Sequence, residues 1–128
     1  MQATTESASG RDLGVAALRY ARGGWSVVPV HTPTPDGCSC GRTGCPAAGK
    51  HPRIRWEMAM EEAAAEETIA TWWLRWPDAN VGVVTGAVSG VVALDVDPRN
   101  GGEDTLEVLE DRWGALPVTV VDRTGGGG

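Results

Sequence analysis

The segment of residues 31–55 constrains the fold of this chain more than any other feature. It contains a single large apolar side chain, Ile54, and all three cysteines of the protein. It is also rich in proline and glycine, with Pro33, Pro35, Gly37, Gly41, Gly44, Pro46, Gly49 and Pro52. A segment of this composition buries too little apolar surface to form a core of its own. We therefore interpret residues 31–55 as an insertion that something other than a core holds together.

The cysteines of this insertion, together with a following histidine, have the spacing of a metal site. The candidate ligands are Cys38, Cys40, Cys45 and His51. Clustered cysteines in an intracellular protein more often bind a metal than form disulfides. Thiolates and a neutral imidazole complete a tetrahedral zinc site, and a closed site of this kind is structural. His31 is the rival fourth ligand; we favour His51, which a rigid Pro52 follows. The alternative interpretation is a set of unligated surface thiols.

The size and composition of the chain predict one globular domain. It has 128 residues, of which 41% are hydrophobic and 22% charged. No apolar run approaches the roughly 20 residues that a membrane-spanning helix needs. The polar N-terminal segment 1–10, which we expect to be disordered, lacks the apolar stretch of a secretory signal. These features predict a cytoplasmic protein without a membrane partner.

The charge balance excludes binding of nucleic acid by bulk attraction. The chain carries 11 Lys and Arg against 17 Asp and Glu, a formal net charge of −6. A domain that binds DNA mainly through its overall charge is normally basic. A role on nucleic acid would therefore need a local site or metal ions. The one basic cluster, Lys50, Arg53 and Arg55, offers possible phosphate contacts from Lys50 and Arg53, although a solvated face explains it equally well.

Hydrophobic periodicity predicts an alternation of helices and strands. Apolar residues recur at helical spacing in three segments, 12–22, 58–75 and 103–113. In the last of these, Leu106, Leu109 and Trp113 are expected to face inward. Short β-branched runs predict strands at 25–30, 81–85, 91–96 and 118–122, with the second and third joined as a hairpin. This order predicts an α/β (α+β) fold, a mixed sheet flanked by helices, with 31–55 as a small zinc-binding loop insertion.

An acidic pair follows the most apolar predicted strand. Asp95 and Asp97 end the stretch VVALDVD, and Pro98 stops the strand because it cannot donate a ladder hydrogen bond. Residues i and i+2 of a strand point to the same face, roughly 6–7 Å apart at the backbone. Two carboxylates on one face repel each other unless cations lie between them, and a pair of divalent ions fits this geometry. The alternative is a solvated strand end, where Asp is a common turn former.

Taken in order, these segments resemble the N-terminal domain of bifunctional DNA primase/polymerases, of the archaeo-eukaryotic primase superfamily. The resemblance is carried by ALRYARGGWSVVPV, CSCGRTGCPAAGKHPR, WWLRWPDANVGVVTG, SGVVALDVDPRNGGEDTLEVLE and VVDRTGGGG. It implies a primase-polymerase-like fold and metal-dependent nucleotidyl transfer that joins nucleoside triphosphates on a DNA template or primer. Asp95 and Asp97 match the family's first motif, the catalytic pair that binds Mg²⁺ or Mn²⁺. The stretch that contains GKHP matches one seen in many relatives, which supports a zinc-bound insertion.

The resemblance also implies a nucleotide-binding motif at the end of the chain. Thr124, Gly127 and Gly128 match the lead-in to the second motif, whose histidine engages the nucleotide's phosphates. That histidine and a further metal-binding acid are expected after residue 128. We therefore expect residues 11–128 to be the N-terminal part of a primase/polymerase domain that is inactive by itself. A helicase, on the same chain or separate, is a possible partner.

Two other functions are compatible with the same residues. The first is a non-catalytic zinc-bearing module that binds nucleic acid or a replication partner through Lys50, Arg53 and Arg55, with a purely structural acidic pair. The second is a phosphatase with Asp95 as nucleophile and Asp97 as acid and base. The phosphatase would need a lysine after another strand, and the sole lysine, Lys50, lies in the insertion with the cysteines.

Overall fold

A computed structural model describes residues 10–125 of the chain. The helices are α1 (Gly10–Arg22), α2 (Glu57–Glu61), α3 (Glu66–Arg75) and α4 (Gly102–Trp113), with a short 3-10 helix at Pro98–Asn100. The strands are β1 (Ser26–Val30), β2 (Pro33–Thr34), β3 (Gly37–Cys38) and β4 (Asn80–Val84). The chain divides into two compact units, residues 1–92 and 93–128. No helix within the described residues is long and apolar enough to cross a membrane.

The first unit is built on the antiparallel pair of β1 and β4. Their register runs from Ser26 opposite Val84 to Val30 opposite Asn80. Pro29 fits into β1 because its carbonyl accepts a hydrogen bond from the N–H of Arg53 at 2.8 Å. The polar groups of Pro29 therefore point away from β4, and its missing N–H leaves no gap in the ladder. A single bridge between Val30 and Pro52 continues this second edge of β1.

Alternate residues of β1 supply two separate apolar clusters, one on each face of the sheet. On one face Val27 packs with Ala17 of α1, Ile69 and Trp73 of α3, and Ala79. On the other face Val28 packs with Val84 and with Ala59 of α2. The only buried polar residue recorded among the described residues is Ser26, and it is satisfied, since its hydroxyl donates to the Ala59 carbonyl at 2.8 Å.

This arrangement explains why the helix predicted at 58–75 is two helices. Its first part, α2, packs on the Val28 face of the sheet, whereas α3 packs on the Val27 face. The chain must cross from one face to the other, so Glu62 and Ala65 adopt extended backbone angles between the two helices. Tertiary packing overrides the high helix propensity of the alanines in this stretch.

Two of the predicted strands are wrong, and so is the mixed sheet. Residues 91–96 contribute only one bridge, between Val91 and Gly86, and residues 118–122 form no strand. The sheets that the structure describes are antiparallel pairs, β1 with β4 and β2 with β3. A strand requires a neighbour that accepts its backbone hydrogen bonds, and neither segment has one within the described residues. As a result Val92 is 92% exposed and Val120 is 83% exposed.

The second unit contains the 3-10 helix and α4, whose predicted range of 103–113 is confirmed to within one residue. The prediction that Leu109 and Trp113 face inward is wrong: Leu109 is exposed and Trp113 is 76% exposed. Leu106 is half-buried. Helical spacing identifies an apolar stripe, but an inward orientation needs a surface for the stripe to pack against.

Candidate metal centre and acidic turn

The four predicted zinc ligands come together in the structure. The sulfur atoms of Cys38, Cys40 and Cys45 and a ring nitrogen of His51 all lie within 4.8 Å of one another. His51 Nε2 is 3.5 Å from the Sγ of Cys38 and 3.5 Å from the Sγ of Cys45. Tetrahedral zinc, with bonds of about 2.3 Å to sulfur and 2.0–2.1 Å to nitrogen, places S and N about 3.6 Å apart. The donor types and their spacing therefore fit a tetrahedral zinc ion.

Two tight turns fold the insertion back on itself. The β2–β3 pair aligns Pro33 with Cys38, which ends β3 and is buried. Gly49 has a left-handed φ of 71°, and a Cβ there would lie 2.6 Å from Cδ of Pro33. Only glycine allows this approach, which brings the segment before His51 against the start of the insertion.

Backbone amides stabilise negative charge on the thiols. The N–H of Gly49 donates to Cys38 Sγ at 3.4 Å, and the N–H of Arg42 donates to Cys40 Sγ at 3.5 Å. The backbone N–H of Cys40, followed by that of Gly49 and by His51, lowers the pKa of Cys38 to about 6, although burial opposes the shift. The Cys38 thiol therefore ionises more readily than an ordinary cysteine in the absence of metal.

Cys45 responds to its neighbours in the opposite direction. The backbone N–H of Ala47 lowers the pKa of Cys45, but burial and the sulfurs of Cys40 and Cys38 outweigh it, so the pKa is raised. Thiolates this close together repel each other. A bound cation relieves that repulsion and allows all three to ionise, which is the state that binds zinc.

His31 lies beside the cluster rather than in it. Its Nδ1 is 2.7 Å from the hydroxyl of Ser39, and its ring centroid is 4.4 Å from that of His51, with the two ring planes tilted by 37°. Burial, His51 and Arg53 lower the pKa of His31. The N–H of His31 donates to the carbonyl of His51 at 2.9 Å. Of the two histidines, His51 is thus the one placed with the cysteines, and His31 supports it from the side.

Arg53 has a role that sequence reasoning missed. Its guanidinium donates to the Val30 carbonyl and to Thr32 Oγ1, both at 3.3 Å, and lies 3.5 Å from Asp78 Oδ2. The side chain of Arg53 is 7% exposed and lies over the ring of Trp76 at 5.8 Å. These contacts tie the end of the insertion to the turn before β4. No signal in the sequence pairs Arg53 with Asp78, because the two residues are far apart in the chain.

The acidic pair lies in an irregular segment of the second unit, with Asp97 at the start of a turn, and not at the end of a strand. Asp97 precedes the 3-10 helix: its Oδ1 accepts from the N–H of Arg99 at 3.0 Å and from the Arg99 Nε at 3.4 Å. Its Oδ2 accepts from Asn100 Nδ2 at 2.6 Å. The N–H of Arg99, then the amide of Asn100, lowers the pKa of Asp97. Asp95 is exposed. The carboxylate of Asp97 is therefore fixed in orientation and held in its charged form.

Gly102 allows this turn to close. Its N–H donates to the Asp97 carbonyl at 2.9 Å, and a Cβ at this position would lie 2.7 Å from the N and O atoms of Asp97. The sequence does carry a signal for the turn, since Asp before Pro, followed by Asn-Gly, is typical of such structures.

The remaining predicted site residues take part in no described cluster. Lys50 and Thr124 are exposed. Gly127, Gly128 and all of the predicted N-terminal segment 1–10 except Gly10 lie outside the described residues; Gly10 begins α1.

Comparison with known proteins identifies the family. The family model described as bifunctional DNA primase/polymerase, N-terminal, matches residues 17–128, a range that includes both the cysteine cluster and the acidic turn. Comparison with the curated proteins gives no match, and comparison with the solved structures gives none either. Because the family model covers most of its length, the chain belongs to the bifunctional DNA primase/polymerase N-terminal family.

Proposed function

We propose that this chain is the N-terminal part of a domain that copies a DNA template or extends a primer from nucleoside triphosphates, using Mg²⁺ or Mn²⁺. The observation that carries the proposal is the family match across residues 17–128, which contains Asp95 and Asp97. Replication in the cytoplasm, beside a helicase, is the setting that the proposal implies.

The donor chemistry of the acidic turn fits hard divalent cations. Asp95 and Asp97 offer carboxylate oxygens, the ligands that Mg²⁺ prefers. Each carboxylate oxygen has two lone pairs, and Asp97 Oδ2 accepts a single hydrogen bond within the described residues, from Asn100. One lone pair of Oδ2 is therefore free for a cation. The fixed orientation of Asp97 reduces the ordering that cation binding requires.

When bound, divalent cations at this site would lower the pKa of the attacking 3′-hydroxyl and offset the charge of the leaving pyrophosphate. The protein's contribution is positional: Arg99 and Asn100 hold the Asp97 carboxylate, while the exposed Asp95, two residues earlier, would supply the second carboxylate. We propose that Thr124, Gly127 and Gly128 lead into a segment that contacts the nucleotide's phosphates. A histidine and a third acid from the chain after residue 128 would complete the site.

The proposal assigns a separate, structural Zn²⁺ to Cys38, Cys40, Cys45 and His51. The cluster supplies four protein donors, so it leaves no open position for a substrate or a reactive water. Its position supports this role, because His51 is flanked by backbone contacts to β1: the His31 N–H to His51 carbonyl bond and the Val30–Pro52 bridge. Zinc thus stabilises an insertion that lacks a core.

Replacing both carboxylates tests the proposed activity. We expect Asp95→Asn combined with Asp97→Asn, in the full-length protein that contains this chain, to reduce Mn²⁺-dependent primer extension by at least about a thousandfold, because neutral amides bind these cations poorly. Asp111→Asn, which removes an exposed acid of α4, is the matched control and should retain activity. Undiminished synthesis by the double variant would show that the acidic pair is not the cation site.

A non-catalytic nucleic-acid module is the second candidate, and the hydrogen bonds of Asp97 favour it. Both oxygens of that carboxylate are engaged by its own turn, as in a purely structural cap. Such a module would bind DNA with a steep salt dependence but without any response to Mn²⁺. Nucleotide incorporation by the full-length protein separates the two functions directly.

A further inference from the structure

The first unit has an open cavity on the Val28 face of its sheet, distinct from the cysteine cluster. Its volume is about 450 Å³, within the range of about 300–1,000 Å³ typical of small-molecule sites. Valines of β1 and β4 form an apolar floor, to which Val28, Val30 and Val84 contribute. Gly82 deepens this floor: a Cβ there would lie 2.7 Å from Cγ2 of Val30.

An aromatic side chain forms one wall of this cavity. Trp56, which immediately precedes α2, lines the cavity and is 40% exposed, and the flexible side chain of Met60 lies on the same wall. The buried Trp73 has a structural partner, since its indole N–H donates to the Ala79 carbonyl at 3.1 Å. Trp56 instead presents indole surface to the cavity, which is suitable for stacking against a flat ring.

A single positive charge lies at the rim. Lys50 lines the cavity, and none of the other lining residues is charged. The ion pairs found within residues 10–125 do not include Lys50. In a chain with a formal net charge of −6, the one charge among the lining residues is thus positive. The nearby Arg53 does not add to it, because its guanidinium already contacts Asp78 and Thr32.

Contacts within the insertion hold the backbone of Lys50 in place. The N–H of Lys50 donates to the Ala47 carbonyl at 2.9 Å, and the next residue, His51, belongs to the donor cluster. Pro52, which also lines the cavity, forms the bridge to Val30. The backbone on both sides of Lys50 is thus held, so only the side chain must be ordered when an anion binds.

We propose that this cavity binds one nucleotide unit of a single DNA strand, with the base stacked on Trp56 and the phosphodiester paired with Lys50. One phosphodiester carries one negative charge, which matches one lysine, whereas a free triphosphate would need several cations. Single-strand binding sites combine aromatic side chains that stack on bases with positive charge along the backbone, and at the scale of one nucleotide this cavity offers one of each. The inference rests on the proposed function in one respect, since it names a strand that such a polymerase would contact.

Binding of a short fluorescent single-stranded oligodeoxynucleotide to the full-length protein, measured by anisotropy over a range of salt concentrations without divalent cations, tests the proposal. Lys50→Ala should make the slope of log K against log salt shallower by about 0.7, the value for one phosphate contact on a single strand. Lys50→Arg should retain the slope. Arg42→Ala, which removes an exposed charge from the same loop outside the cavity lining, is the matched control.

Trp56→Ala should weaken oligonucleotide binding about tenfold, while Trp56→Phe retains most of the affinity because a ring remains for stacking. The proposal is overturned if Lys50→Ala and Arg42→Ala give the same slope, if Trp56→Ala leaves the affinity unchanged, or if these variants instead lose binding of a free nucleoside triphosphate. These measurements need no synthesis, and nucleotide incorporation is measured separately on the same Lys50→Ala and Trp56→Ala variants. The failure of the proposed function and that of the cavity proposal are thus distinguishable.

Discussion

The two histidines of the insertion (residues 31–55) differ in the atoms that their ring nitrogens contact. Both are half-buried, and their rings lie close together. His51 Nε2 faces the sulfurs of Cys38 and Cys45, whereas His31 Nδ1 faces the hydroxyl of Ser39. A metal site requires donor atoms that converge on one point, so proximity of a ring alone does not make a ligand.

Substitutions in the loop should therefore separate His31 from His51. We expect His51→Ala or Cys45→Ser to reduce bound zinc from one equivalent per chain to well under half, because three donors hold the ion much less tightly than four. His31→Ala should retain the metal, with a several-fold loss of affinity at most. Metal content after dialysis, measured by mass spectrometry, checks this. Loss of zinc from His31→Ala alone would reverse the assignment.

The charge state of Asp97 is also a residue-scale property. Its pKa is lowered chiefly by the N–H of Arg99 and by Asn100. A depressed pKa in the folded state contributes stability above the unfolded value of about 3.9, and this contribution is lost as the pH falls through the folded value. In metal-free buffer, we expect NMR to show the Asp97 carboxyl titrating below the usual range of an aspartate side chain. Asn100→Ala should raise its midpoint, and an unchanged midpoint would contradict the assigned hydrogen bond.

At the scale of elements, helices α1 and α3 pack directly against each other. Gly14 of α1 lies against Trp73 of α3, and a Cβ on Gly14 would be 3.1 Å from the Trp73 Cβ. An ion pair between Arg22 and Glu66 joins the same two helices. Small residues at such positions let helices approach, and Trp73 fills the space that results.

A larger side chain at this contact should destabilise the first unit. We expect Gly14→Leu to reduce the free energy of unfolding by about 1–3 kcal/mol, the usual range for overpacking, despite the gain in helix propensity. Val15→Leu, at the neighbouring exposed position, should change it by less than about 0.5 kcal/mol. Urea unfolding followed by tryptophan fluorescence measures both. Equal stability of the two variants would show that the helices can separate without loss.

Considered as a whole, the first unit contains an apolar core and, separate from it, a cluster of four side chains that could hold a metal ion. The core lies on both faces of β1 and β4. The donor cluster lies in a segment with almost no apolar side chains, and it connects to the sheet through backbone bonds at the free edge of β1. Those bonds run from the His31 N–H to the His51 carbonyl and from the Arg53 N–H to the Pro29 carbonyl.

Removal of the metal should therefore affect the sheet edge before the core. After treatment with a zinc chelator, we expect the amides of His31 and Arg53 to exchange hydrogen at least about tenfold faster, since both donors belong to the insertion, whose position relative to β1 the metal would hold. The amide of Ile69 in α3, which donates to the Ala65 carbonyl at 3.1 Å, is the internal control and should change little. Uniform acceleration across all three amides would mean that the metal supports the whole unit.

Features that depend on neighbouring residues could be predicted from the sequence: the bounds of α4, the strands around 26–30 and 80–84, and the set of metal donors, whose spacing brings them together in one loop. Features that depend on a distant partner required the folded structure. Whether 58–75 forms one helix depends on which face of β1 each half covers, and whether 91–96 forms a strand depends on a neighbour for its hydrogen bonds. Hydrophobic periodicity shows which residues are apolar, but whether and where those residues are buried depends on the element that packs against them.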